Sequence, residues 1–177
     1  EGYFQSEKYF LNHKDDLLKE FTFKENIQLQ NSSFINEIKD SNSVSIHIRQ
    51  ERFLASEGHK NLNELNNKFL KYNIDITKRG VEYFDRVLKN PKYFLWSNNF
   101  DKLKDYFPSN KFIFVNENLK KDPAYDLFLM SQCKHFVLSP STFHYWGAYL
   151  STNKNKICIA PDKTIYENSY YGFSNNK

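Results

Sequence analysis

HFVLSPSTFHYWGAYL, residues 135–150, joins an apolar run to a hydroxyl-bearing turn and then to a helix-like segment. HFVLS, at 135–139, has the length and the aromatic and branched content of a buried strand, and Pro140 ends it. Ser141 and Thr142 then open a helix that runs to about Leu150. Strand, turn and helix in that order make one βα unit. Working outward, the same alternation recurs. KICIA at 156–160 reads as the next strand. Upstream lies a helix around Ala124 to Gln132, preceded by the strand KFIFV at 111–115. FDKLKDYF at 100–107 reads as a helix closed by Pro108, KYFLW at 92–96 as a strand, and GVEYFDRVLKN at 80–90 as a helix ended by Pro91. A further helical piece, NLNELNNKFLKY, occupies 61–72. VSIHI, 44–48, is the first strand, rich in β-branched residues. Before it, residues 6–23 have helical spacing with Ser6 as N-cap, and a second helix covers about Glu25 to Lys39.

Repeated strand–helix alternation predicts an α/β fold, a parallel sheet covered by helices on both faces. Ligands in such sheets sit at the carboxyl ends of the strands. That rule selects His47, Ile48 and Arg49 after the first strand, Ser97, Asn98 and Asn99 after the second, and Ser139 to Phe143 after the fourth.

Three groups in these positions have chemistry to offer. His47 and Arg49 stand two apart, which on an extended chain puts them on one face. A guanidinium there suits phosphate oxygens, because its planar fork donates in pairs; pairing with a core carboxylate or a helix end is the competing reading. Ser141 and Thr142, at a helix N-terminus, combine hydroxyl donors, free N–H groups and the positive end of the helix dipole. The alternative is an N-cap and nothing more. Asp126 reads as the start of a helix: a carboxylate that could accept from guanine N1–H and its 2-amino group, or an acid favoured by the dipole.

Composition narrows the function classes. The 25 basic against 21 acidic residues leave a formal charge of +4, and the charges are interspersed, so a nucleic-acid partner is not expected. Cys133 and Cys158 flank apolar runs and read as buried free thiols, not a disulfide framework or metal site. His13, His59, His135 and His144 lack metal-ligand spacing, and the adjacent Asp15 and Asp16 read as a solvated helix face. Neither a metal nor a cofactor is expected. No apolar stretch reaches membrane-span length. The first residue is Glu1 and the single Met is Met130, so further sequence before Glu1 is expected.

Taken in order, GYFQSEKYF, VSIHIRQERF, KYFLWSNNFDKLKDYF, DLFLMSQCKHFVLSPSTFHYWGAYL and KICIAP resemble bacterial alpha-1,2-fucosyltransferases, glycosyltransferase family 11. That family shows a YxQSEKYF-like segment, HxRRGDY, a strand ending FSDD, and DLxLMSxCKHxIxxNSSFSWWGAWL. The resemblance spans most of the chain. It implies the donor-binding, Rossmann-like half of a GT-B glycosyltransferase at 41–177, with 1–40 a helical segment bridging from an acceptor-side domain. It also implies inverting, metal-independent transfer from GDP-L-fucose to a galactose 2-hydroxyl of a glycan. Arg49 would then contact the diphosphate as the catalytic group, His47 and Asp126 would lie near guanine, and Ser141, Thr142 and Phe143 would bind phosphate. A cytoplasmic location, with peripheral association at the inner face of the membrane, goes with that role. The chain departs from the pattern at Gln50, Glu51 and Arg52 in place of Arg-Gly-Asp, at Asn98 and Asn99 in place of the acidic pair, at Pro140, and at His144 and Tyr145. Two alternatives therefore stand beside fucosyl transfer: use of another GDP-sugar, and a non-catalytic GDP-sugar-binding domain.

Overall fold

The structure, a computed structural model, describes residues 7–28, 33–53, 61–116 and 122–161. Its elements in chain order are α1 (Lys14–Glu20), α2 (Glu25–Gln28), α3 (Ser33–Asp40), β1 (Asn42–His47), α4 (Leu62–Val87), β2 (Pro91–Trp96), β3 (Phe112–Phe114), α5 (Pro123–Ser131), β4 (His135–Val137), α6 (Thr142–Tyr149) and β5 (Cys158–Ile159). Two short 3-10 turns, Glu7–Tyr9 and Leu11–His13, precede α1.

The five strands form one sheet in the order β3-β2-β1-β4-β5, and every pairing is parallel. The chain builds outward from β1 through β2 to β3, then returns to the other side of β1 for β4 and β5. The direction therefore reverses between β1 and β4. A parallel, doubly wound sheet of this kind is Rossmann-like, as the sequence predicts, and sheets of this class bind their ligands at such a reversal.

Alternation along the strands divides the core in two. Val44, Ile46, Tyr93, Leu95 and Val137 face α4, whose Leu70, Ile74, Val81 and Phe84 cover them. On the other face, Phe94, Trp96 and Phe136 pack with Ile38 of α3, Phe128, Leu129 and Met130 of α5, and Ala148 of α6. Helices thus cover both faces, which explains why β2 and β4 read as near-continuous apolar runs, while β1 alternates Val44 and Ile46 with the buried Ser43 and Ser45.

The two helical pieces expected at 61–72 and 80–90 are one continuous helix of 26 residues. Gly80, taken from sequence as a helix start, lies in its interior. A Cβ there would sit 2.6 Å from Val137 Cγ2, so glycine is what lets α4 lie close against β4. Its helix-propensity cost of about 1 kcal/mol is accepted for that contact. The helix also ends before Pro91, at Val87, and Pro91 instead opens β2.

FDKLKDYF does not form the expected helix. Hydrogen bonds from Leu103 and Lys104 to the Phe100 carbonyl, and from Tyr106 and Phe107 to that of Leu103, make isolated turns. Phe100, Leu103 and Phe107 still bury on the α4 face. The helix-like spacing reflected burial of one side; so short a segment gains too few bonds to offset nucleation. The N-terminal expectation also breaks up, since 6–23 holds two 3-10 turns and α1, and Ser6 lies outside the described residues. Between 25 and 39 there are two helices, with residues 29–32 outside the described set.

Cys133 is buried, and burial raises its thiol pKa. Cys158 is exposed, contrary to expectation, because β5 is the sheet edge. Asp15 and Asp16 are exposed, as read.

Candidate functional site

His47 is the last residue of β1 and is half-buried. Its ring lies on the α5–α6 side of the sheet, 5.8 Å from the Phe143 ring and 5.7 Å from that of His144. Burial and the neighbouring Arg49 charge pull its pKa down to about 4, so the imidazole is neutral at physiological pH. One ladder bond continues past it, from Ile48 N–H to the Trp96 carbonyl at 3.0 Å. Arg49 follows on the carboxyl edge, exposed, with no ion-pair partner among the described residues. A guanidinium so placed is available to an incoming anion. The period-two reading is modified in one respect: the strand ends between the two residues, leaving His47 packed and Arg49 in solvent.

Across the reversal, β4 delivers Leu138 to Ser141. Ser141 is the N-cap of α6: its Oγ accepts from His144 N–H at 3.5 Å and its carbonyl from Tyr145 N–H at 3.0 Å. Ser141 therefore caps α6. The N–H groups of Thr142 and Phe143 occupy the first turn of α6, where no intrahelical acceptor exists.

His144 ties the two crossing points together. Its Nδ1 accepts from Ser139 N–H at 3.4 Å, and its Nε2 lies 3.0 Å from Ser45 Oγ inside β1. Accepting at Nδ1 places the ring proton on Nε2, which then donates to Ser45. The residue is fully buried, and its pKa is held well below the usual value by burial and by His47. Ser139 Oγ in turn lies 3.5 Å from His47 Nδ1. Neutral imidazoles, two serines and the α6 N-terminus thus form one continuous polar seam beside the crevice.

Asp126 is not the residue that begins α5. The helix starts at Pro123, and Asp122 is its N-cap, accepting from Ala124 N–H at 2.9 Å. Asp126 is the acidic residue of the first turn and is half-buried. Because α5 runs from β3 to β4, its N-terminal end lies at the carboxyl edge of the sheet. A Cβ on Gly147 would sit 3.0 Å from Met130 Cβ, so α5 and α6 are in close contact there. One turn nearer the edge on each helix lie Phe143 and Asp126. The fold thus gathers His47, Phe143 and the α6 N-terminus directly, sets Asp126 on the facing helix turn, and leaves Arg49 at the rim.

Three residues beside these groups are not among the site candidates read from sequence. Gln50 is buried and holds the β2 exit, while Trp96 is the register partner of His47 and is buried with its indole N–H unpaired. His144 was set aside for lack of metal-ligand spacing. A hydroxyl such as Ser45 in the middle of a buried strand was the available signal, since a buried hydroxyl requires a partner.

Among the described residues no helix is long and apolar enough to cross a membrane, and no group of three His, Cys, Asp or Glu residues could hold a metal ion.

Comparison with known proteins bears on this arrangement. The model of one protein family, glycosyl transferase family 11, matches residues 1–172. The chain is 30% identical over 164 residues to an alpha-1,2-colitosyltransferase of Escherichia coli, covering 90% of this chain and 53% of the relative. An O-antigen biosynthesis glycosyltransferase of Escherichia coli, WbnK, is 27% identical over 177 residues, covering 95% of this chain and 55% of that protein. Rabbit (Oryctolagus cuniculus) galactoside alpha-(1,2)-fucosyltransferase 2 is 22% identical over 157 residues, covering 85% and 43% respectively. The chain spans about half the length of the curated relatives it matches. No solved structure matches it.

Proposed function

The chain belongs to glycosyltransferase family 11, and from that premise we propose that it binds GDP-L-fucose and serves fucosyl transfer to a galactose 2-hydroxyl of a glycan. The observation that carries this reading is the placement of Arg49. An exposed guanidinium without an ion-pair partner among the described residues stands at the sheet reversal, across from the N-terminus of α6. Charge, two first-turn N–H groups and the Thr142 hydroxyl there match the needs of a diphosphate.

Transfer from a nucleoside diphosphate sugar is a leaving-group problem. As the glycosidic bond breaks, negative charge grows on the departing β-phosphate, and donors already fixed at that position stabilise it more than they stabilise the ground state. Arg49 supplies the charge-assisted donor, and Thr142 with Phe143 supplies the helix end. His47, neutral at physiological pH, borders the base side with Asp126, whose carboxylate complements the N1–H and 2-amino donors of guanine. These groups provide positive charge at the leaving oxygens without a divalent ion, which supports metal-independent transfer.

Within the whole enzyme we assign residues 41–177 to the donor half of a GT-B architecture, with 1–40 bridging toward an acceptor-side domain. A second reading is favoured by one finding: the relative at 30% identity is a colitosyltransferase. A donor carrying a different sugar on GDP therefore stands beside GDP-fucose.

A donor screen on the full-length protein tests the proposal. GDP-fucose, GDP-mannose and other nucleotide-sugars are offered with and without galactose-terminated glycans, and GDP release is measured. Acceptor-dependent release from GDP-fucose, unaffected by a strong chelator, is expected. Release from another GDP-sugar alone establishes the second reading. Loss of activity in chelator with rescue by magnesium or manganese contradicts metal independence.

A further inference from the structure

The loop that carries Arg49 is tied to the loop after β2 by a set of amide contacts. Asn98 brackets the backbone of Gln50: its Oδ1 accepts from Gln50 N–H at 2.7 Å, and its Nδ2 donates to the Gln50 carbonyl at 3.0 Å. The first bond fixes the peptide that leaves Arg49, and the second fixes the peptide after it. The side chain of Gln50, 5% exposed, runs back so that its Nε2 donates to the Asn99 carbonyl. The receiving loop is itself braced. Ser97 Oγ donates to the Asn99 carbonyl at 2.6 Å, and Asn99 Oδ1 accepts from Asp101 N–H at 2.9 Å.

On the other side of Arg49, Ile48 N–H is held by the Trp96 carbonyl. The Arg49 Cα is therefore pinned from both directions to β2 and its exit loop. Immediately beyond, Glu51 has φ of 51°, in the left-handed region. A residue with a Cβ adopts that conformation only where its surroundings over-determine it. The bonds at residue 50 supply that constraint.

We propose that Asn98 and Gln50 are positioning residues for Arg49: they hold its backbone so that the exposed guanidinium is presented to the diphosphate of the donor. The inference rests on the reading of Arg49 as a diphosphate partner. Arg has many rotamers, and an arginine on a loose loop would have to be ordered on binding; fixing the backbone beforehand removes part of that cost.

The test is a double-mutant cycle read by GDP affinity, with wild type, Asn98→Ala, Arg49→Ala and the combined variant titrated calorimetrically, and melting midpoints recorded without nucleotide. Asn98→Ala alone is expected to weaken GDP by about tenfold, and in the Arg49→Ala background by less than about twofold, because an absent guanidinium no longer depends on its backbone. Gln50→Ala, which removes the side-chain tie to the Asn99 carbonyl and adds no charge, is expected to weaken GDP in the same Arg49-dependent way, and it serves if the Asn98 variant does not fold. Equal losses in both backgrounds, or no loss with Arg49 present, overturn the inference while leaving GDP binding intact. Failure of the folded wild type to bind GDP overturns the reading of Arg49 and this inference with it.

Discussion

At the scale of single residues, the site is a charged group on the rim beside a set of groups kept neutral. Arg49→Ala is expected to raise the Kd for GDP by roughly 10- to 100-fold, the range for losing a hydrogen bond to a charged group, and to leave the melting midpoint unchanged because the side chain is exposed. Arg49→Lys rescues poorly, since an ammonium lacks the paired donors. Isothermal titration with parallel melting curves checks both. A variant that unfolds while its folded fraction binds normally assigns Arg49 to structure instead. Asp126→Asn is expected to weaken GDP and to leave the weak binding of ADP nearly unchanged; equal losses for the two nucleotides would return Asp126 to a helix-dipole role.

The histidines make a pH prediction. The folded-state pKa of His47, about 4, lies below the value near 6.5 of a histidine in an unfolded chain. His144 and His135 shift in the same direction, chiefly through burial. Between about pH 6.5 and 4 the unfolded state therefore binds more protons, and stability falls as pH falls through that window. Each fully uncoupled histidine contributes up to about 1.4 kcal/mol per pH unit there. Urea unfolding followed from pH 7.5 to 4.5 reads the slope, and His144→Gln is expected to make it shallower. Stability independent of pH across that range would mean that the rings are protonated in the folded protein.

At the scale of elements, close helix–sheet approach does much of the positioning. Gly80 lets α4 meet Val137, whose strand carries the chain to Ser139 and the α6 N-terminus. Gly80→Ala forces a methyl against the Val137 side chain and is expected to lower stability by about 1–3 kcal/mol, measurable by denaturant midpoint. A stabilising substitution would show instead that helix propensity outweighs the contact.

This glycine also shows what a sequence discloses and what it withholds. Strand positions were legible because buried parallel strands are short segments rich in apolar and β-branched residues, and VSIHI, KYFLW, KFIFV and HFVLS fall on or within a residue or two of β1 to β4. The unity of α4 was not, since glycine reads locally as a break and its reason lies in a strand more than fifty residues away. FDKLKDYF failed in the opposite direction: apolar spacing of one face signals burial and does not supply the hydrogen bonds of a helix. The ends of strands located His47, Arg49 and the Ser141–Phe143 turn without any contact information. The seam through Ser45, Ser139 and His144, and the amide contacts of Gln50 with Asn98, join residues distant in sequence and become visible only in three dimensions.

At the scale of the whole molecule, strand order is what turns these residues into a site. The parallel pairing of β1 with β4 sets the exits of both strands side by side, so that Arg49 and the α6 N-terminus lie at the same sheet edge where the winding reverses. The departures from the family pattern at residues 50–52 leave that geometry standing, with Glu51 in the left-handed turn where the pattern has glycine. The proposed donor site thus keeps His47 beside Phe143, with Arg49 at the same sheet edge, despite those departures.

Thermal melting of this chain with GDP, GDP-fucose, ADP and UDP, for wild type and Arg49→Ala, tests that central claim most directly. A ligand bound only by the folded state stabilises it by about 2.7 kcal/mol at 100 times its Kd. For a domain of this size that raises the midpoint by roughly 5–10 °C. GDP and GDP-fucose are predicted to give such a shift with wild type, ADP and UDP to give much less, and Arg49→Ala to lose most of it at the same GDP concentration. A folded wild-type protein whose midpoint does not move with either guanine nucleotide would contradict the account.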